Sequence, residues 1–155
     1  MMNEELIQML DENLVYLATS TRDGKPNVVP IGLCHAINSN QIIIVDVLFN
    51  KTRKNLEENP QVAISFTDVK RWESYQLKGK AEIYTDGPIF EQMLKIREQK
   101  EIQNRARTEQ LLANNPELMK KAEQLKKWRM NLKPKAAVLV TVEEIYSHMP
   151  KLAND

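Results

Sequence analysis

Apolar and polar positions along this chain repeat with two periods, and the switches between them mark out the elements. Asn3, Glu4 and Glu5 followed by Leu6, Ile7 and Leu10 have the form of a capped amphipathic helix with acids in its first turn. The segments "LVYLATST" and "NVVPIGLCHAI" read as strands joined by the turn "RDGKP", a hairpin with Asp23-Gly24 at its tip. After the turn "NSNQ" comes "QIIIVDVLF", whose run of branched side chains predicts a strand rather than a helix of that length. "NKTRKNLEEN" then predicts a short helix, stopped before Pro60. "QVAISFTD" and "SYQLKGKAEIYT" are two further strands, the second carrying Gly79 as a bulge or kink.

From "DGP" the period lengthens. Phe90, Met93 and Leu94 are expected to point inward, and Leu118, Ala122, Leu125, Trp128 and Leu132 recur at helical spacing until Pro134 ends the region. "AAVLVTVEEIYSHMP" supplies a last strand. Six strands in short-looped antiparallel order, with helices inserted before the last, predict a mainly β fold: a small barrel decorated with helices, not a βαβ sheet. A length of 155 residues fits a single domain, 1–155, with a helical insertion at about 88–133.

Composition narrows the class. A net charge of +1 and a hydrophobic fraction of 42% are those of a folded chain, and give no reason to expect a nucleic-acid partner. Cys34 is the only cysteine, so neither a disulfide framework nor a cysteine-based zinc site can be built, and no metal is expected. The acidic start "MMNEELIQMLDEN" lacks the form of a signal peptide, and no segment approaches the roughly 20 apolar residues of a membrane span, so a cytoplasmic protein without a membrane partner is expected.

Candidate chemistry begins at "NKTRKN". A helix N-terminus carries partial positive charge and unpaired N–H groups, so acids are favoured there and bases at the far end. Here Lys51, Arg53 and Lys54 open the helix while Glu57 and Glu58 close it. The arrangement becomes favourable if an anion sits at that end. Lys51 would then give a point charge, Thr52 a hydroxyl, and Arg53 or Lys54 additional field; the alternative is a solvated basic turn capped by Thr52 or Asn50.

The second strand is the other oddity. Its alternation sets Val29, Ile31, Leu33 and Ile37 on one face and the mostly small Val28, Pro30, Gly32, Cys34 and Ala36 on the other. Pro30 and Gly32 mark either an interrupted edge or a place where something flat approaches the backbone. His35 among these apolar neighbours reads as a core or interface residue with a satisfied ring nitrogen, and Cys34 as packing. Trp72 and Tyr75 could stack on a ligand across a dimer contact, or simply start a strand. The cations of the helical insertion form a solvated face, or a lid over a ligand groove.

Taken in order, "LATSTRDGKPNVVPIG", "FNKTRKNLEENPQVAISF", "YQLKGKAEIYTDGPIFEQM" and "AAVLVTVEEIY" resemble the flavin-binding split barrels related to pyridoxamine 5'-phosphate oxidase, over nearly the whole chain. The resemblance implies a six-stranded antiparallel split β-barrel, a homodimer, and flavin mononucleotide (FMN) in a groove at the subunit interface. It implies that Lys51 and Thr52 hold the phosphate, that backbone at Pro30, Ile31 and Gly32 faces the isoalloxazine ring, and that Asn50 and Asn55 belong to the same motif, Asn55 as a brace. Some relatives use a deazaflavin or handle haem, which keeps these as alternative ligands. Oxidases acting on pyridoxamine phosphate carry a C-terminal segment with arginine and histidine that grips the substrate phosphate; this chain reads "EEIYSHMPKLAND" there, which argues for a different substrate. The expected function is an FMN-dependent oxidoreductase moving electrons from a reduced nicotinamide or other donor to a small acceptor. A non-enzymatic flavin-binding or electron-carrier protein is the alternative. No catalytic side chain is assigned.

Overall fold

The structure is a computed structural model and describes residues 1–149; Pro150, the end of the last-strand reading, and the tail to 155 lie outside the described residues. In chain order it runs α1 (Glu4–Glu12), β1 (Val15–Ser20), β2 (Pro26–Ile31), β3 (Cys34–Ala36), β4 (Gln41–Asp46), α2 (Lys51–Glu58), β5 (Gln61–Asp68), β6 (Glu73–Tyr84), α3 (Gly87–Leu112), α4 (Pro116–Asn131) and β7 (Ala136–Ser147). All neighbouring strands are antiparallel, in the order β2-β1-β5-β6-β7-β4-β3.

Seven strands stand where six were expected, because "NVVPIGLCHAI" breaks at Gly32 and Leu33. Its first half, β2, pairs with β1 and its second half, β3, with β4, so two consecutive segments occupy opposite edges of one sheet. Only a curled sheet can bring those edges within a two-residue link, into which the Val45 N–H, donating to the Leu33 carbonyl at 3.4 Å, extends the β3–β4 ladder. The break also reverses the side-chain phase. Ile31 faces the barrel interior as alternation predicts, but beyond Gly32 it is Cys34 and Ala36 that enter the interior, while Leu33 and Ile37 turn outward against α3. The expectation of one uninterrupted pair of faces is therefore corrected.

Two apolar clusters hold the fold. One fills the barrel, where Leu17, Ile42, Ile44, Ile64, Phe66, Leu77, Val138 and Val140 meet Leu6, Met9 and Leu10 of α1, which plugs one end. The other lies on the outer face of β4 and β7, where Ile43, Val45, Ala137 and Leu139 are covered by Met93 and Ile96 of α3. Being buried on both faces, β4 and β7 read as continuous apolar runs, "QIIIV" and "AAVLV", whereas β1, wet on one side, alternates. Gly24, at φ +91°, turns the β1–β2 hairpin. Gly79 sits at a β-bulge against β7, where a Cβ would lie 2.0 Å from the Thr141 carbonyl oxygen.

The helical region differs from its expected packing. On α3 it is Met93 and Ile96, with Phe90 partly, that are covered; Leu94, roughly 100° around the helix from Met93, points to solvent. The helices break at Ala113–Asn115, and the Asn115 side chain caps α4 by accepting from the Leu118 N–H at 3.1 Å. No residue of α4 is buried, and Leu118, Leu125 and Trp128 are largely exposed. No helix among the described residues is long and apolar enough to cross a membrane.

Candidate functional site

The site begins where β4 ends. Asp46, the one charge in the run "QIIIVDVLF", is fully buried. Its carboxylate accepts from the Phe49 N–H at 3.2 Å and from the Arg53 guanidinium at 2.6 Å, tying the 47–50 loop to the underside of α2. Arg53 also donates to Glu57 at 3.0 Å, one helical turn on. Burial works against the charge on Arg53, yet these acceptors outweigh it and hold its pKa above the ordinary value. Arg53 is thus internally neutralised and does not add field at the helix start, as its place in "NKTRKN" had implied.

What remains at that start is differently used. Lys51 is exposed and makes no ion pair among the described residues. Thr52, 2% exposed, accepts from the Asn27 side-chain amide at 3.1 Å, which leaves its own O–H as a donor. Asn50 precedes the helix without a side-chain capping bond, unlike Asn3, whose carboxamide oxygen caps α1 at 2.8 Å. Asn55 is buried and donates to Thr19 at 3.1 Å, so Thr19, Asn27, Thr52 and Asn55 form one polar network joining β1, β2 and α2.

These elements border a groove of ≈ 980 Å³. Pro30, Ile31 and Gly32 line it at the β2–β3 crossing, and Asn50, Lys51 and Thr52 line it at the start of α2; the fold brings these six together, while Asn55 stands behind them in the polar network. Gly32 presents bare backbone there, with nothing within 4 Å of where a Cβ would project. The opposite wall comes from α3 and α4, including Lys100, Arg107, Trp128 and Arg129, and the end of α1 contributes Asp11. Burial raises the Asp11 pKa, but hydrogen bonds from His35 Nδ1 at 3.0 Å and Lys100 Nζ at 2.8 Å prevail and leave it lowered.

His35 has the satisfied ring nitrogen expected of it, though it is half-buried and reaches the groove only through Asp11. Cys34 borders the groove as an inert packing group, since burial pushes its thiol up to about 12. Tyr75 stacks on Phe66 with ring centroids 5.8 Å apart and donates to Glu73, and Trp72 stands exposed at the β5–β6 turn; neither lines this groove in its own chain. Sequence reasoning missed Asn27 and Asp46. A lone acid inside an apolar strand was the available signal for Asp46; Asn27 carried none.

The geometry has counterparts. The family model for pyridoxamine 5'-phosphate oxidase matches residues 2–149. An uncharacterised protein of Methanocaldococcus jannaschii is 31% identical over 148 residues, covering 94% of this chain and 80% of that one. Among solved structures, HupZ of Group A Streptococcus superposes with a TM-score of 0.65 at 24% identity, over 96% of this chain and 94% of that one. An FMN-binding protein of Syntrophomonas wolfei gives 0.64 at 15% identity, over 94% and 85%. The curled antiparallel sheet with its helices is therefore the fold of FMN-binding split-barrel proteins, and the chain belongs to the pyridoxamine 5'-phosphate oxidase family.

Proposed function

We propose that the protein binds FMN in the groove between the β2–β3 crossing and α2 and acts as an oxidoreductase. One observation carries the reading: an exposed Lys51 without an ion pair among the described residues, the Thr52 hydroxyl and a helix start without a side-chain cap converge on a groove whose floor is the backbone of Pro30–Gly32. That donor set suits a phosphomonoester, which carries about −1.5 to −2 at neutral pH. Asn27 and Asn55 fix the rotamer and height of Thr52 and α2 from behind. Pro30 and Gly32 leave a flat wall against which a ring can lie.

When bound, the flavin would accept a hydride from a reduced nicotinamide and return two electrons to a small acceptor; the protein's share is holding, orienting and shielding. Among groove residues no side chain is assigned to proton transfer. A deazaflavin would use the same phosphate anchor, and the family's dimeric arrangement would set the groove at a subunit interface. The protein from Syntrophomonas wolfei, which binds FMN, supports the choice of ligand through its fold.

The purified protein should be yellow, with a flavin spectrum bleached by reduced nicotinamide. Lys51→Glu should lower flavin affinity by roughly ten- to thirtyfold, one screened attraction of up to about 1 kcal/mol being exchanged for a repulsion of like size, without altering the circular dichroism. Wild-type retention in that variant would show that the phosphate sits elsewhere. Stoichiometric flavin that no nicotinamide reduces would leave a carrier in place of an enzyme.

A further inference from the structure

The groove has two walls, and only one is accounted for by a flavin phosphate. The α3–α4 wall carries Arg97, Lys100, Arg107 and Arg129. The acids that line the groove are already engaged: Asp11 by His35 and Lys100, Glu12 by Arg71, and Glu101 by Lys126 at 3.9 Å. Arg97 donates to the carbonyls of Arg129 and Leu132, each at 3.0 Å, and so pins the end of α4 to α3. Arg107 reaches only the Glu12 carbonyl, at 3.4 Å, and Arg129 has no carboxylate partner among the described residues. On other faces some cations are paired, Arg105 with Glu109 and Lys80 with Glu143, while several lysines there are solvated without a partner among the described residues. Of the four arginines without a carboxylate partner among the described residues, three, Arg97, Arg107 and Arg129, line the groove, and Trp128 on the same wall is half-exposed.

A volume of ≈ 980 Å³ is at the upper end of ligand pockets, which run to about 1,000 Å³, so the groove extends from the Lys51–Thr52 turn to the α3–α4 wall. Guanidinium groups recognise carboxylate, phosphate or sulfonate by paired N–H donors, and an indole face receives a flat apolar body. We propose that the α3–α4 wall is a second binding site, taking an anionic ligand with a planar apolar body held by Arg107 and Arg129 against Trp128. The inference rests on the reading of the Lys51–Thr52 turn as the cofactor anchor, and it names the substrate class of that groove: small planar anions. Arg97 is a positioning residue here, since it acts by holding α4 in place.

Calorimetric titration of the flavin-loaded protein with naphthalene-2-sulfonate, 2-naphthol and methanesulfonate tests it. The aromatic sulfonate should bind roughly tenfold more tightly than either the neutral ring or the ringless anion. Exchanging both Arg107 and Arg129 for Gln should erase the preference for sulfonate over naphthol, exchanging both for Lys should keep most of it, and Trp128→Ala should weaken both aromatic probes alike. Flavin content, read from the spectrum, should stay at wild-type level in all of these variants. Equal affinity for sulfonate and naphthol in the wild type would overturn the proposal, as would flavin loss in step with sulfonate loss, because the cations would then serve the cofactor. If the protein holds no flavin at all, the cofactor reading fails by itself; the same titration on flavin-free protein then decides whether the wall selects anions.

Discussion

At the scale of single residues, Asp68 shows how a loop is held by one carboxylate. It closes β5, accepts from the backbone N–H groups of Lys70 and Arg71 at 2.9 and 3.0 Å, from Asn13 at 3.3 Å, and from the Arg71 guanidinium. The backbone bond from Arg71 comes first among the causes that hold its pKa down to about 2, and the side-chain bonds from Arg71 and Asn13 outweigh the opposing effect of burial. The turn it anchors includes Trp72 at φ +57°, a conformation that a bulky residue adopts only when its surroundings enforce it. A carboxylate whose folded pKa lies below its unfolded value of about 3.9 stabilises the fold fully above that value and ceases to do so as pH falls towards the folded one. Thermal melting should therefore drop between about pH 4 and about pH 2. Asp68→Asn should melt lower at neutral pH and fall less steeply over that window, although Asp11, Glu12 and Asp23, also lowered, keep some slope. An acid limb as steep as that of the wild type would place the control elsewhere.

Among the elements, what could be read in the sequence depended on whether a single local cause set the outcome. The β1–β2 hairpin was legible because Asp23-Gly24 admits few turns, and Gly79 because no other residue clears the Thr141 carbonyl. The short helix after β4 was legible because a polar run follows the apolar strand and Pro60 stops it. The split of β2 from β3 was only half legible: Pro30 and Gly32 announced an interruption, but pairing with opposite sheet edges is decided by closure of the whole sheet. Likewise Lys51 and Thr52 stood out as candidates that the fold does bring to one groove, whereas the role of Arg53 depended on the burial of Asp46, a tertiary fact. That pair makes a prediction for α2. Removing one partner of a mostly buried ion pair leaves the other uncompensated, so Arg53→Ala should lose about 3 kcal/mol by denaturant unfolding. Lys54→Ala, on the exposed side of the same helix, should lose under about 0.5 kcal/mol. Similar losses in the two variants would mean that Asp46 does not depend on Arg53.

For the molecule as a whole, stability is unevenly distributed, and the groove lies on the boundary. On one side, β4 and the first part of β7 are buried on both faces and joined to each other between β6 and β3. On the other, α4 buries no residue, leaves Leu118 and Leu125 largely exposed and holds Trp128 half-exposed on the groove wall. A helix of 16 residues gains little from propensity alone and depends on packing for its persistence. Here that support comes from α3 and from the two carbonyl contacts of Arg97, so the wall carrying Arg129 can open while the sheet stays intact. Hydrogen exchange at low protein concentration should therefore find α4 amides exchanging orders of magnitude faster than those of β4 and β7, which open only with global unfolding. Arg97→Ala should speed α4 further and leave the strands unchanged. If α4 proves as slow as β7, its exposed apolar residues are covered in solution, and slow exchange that is lost on dilution would identify a second copy as the cover.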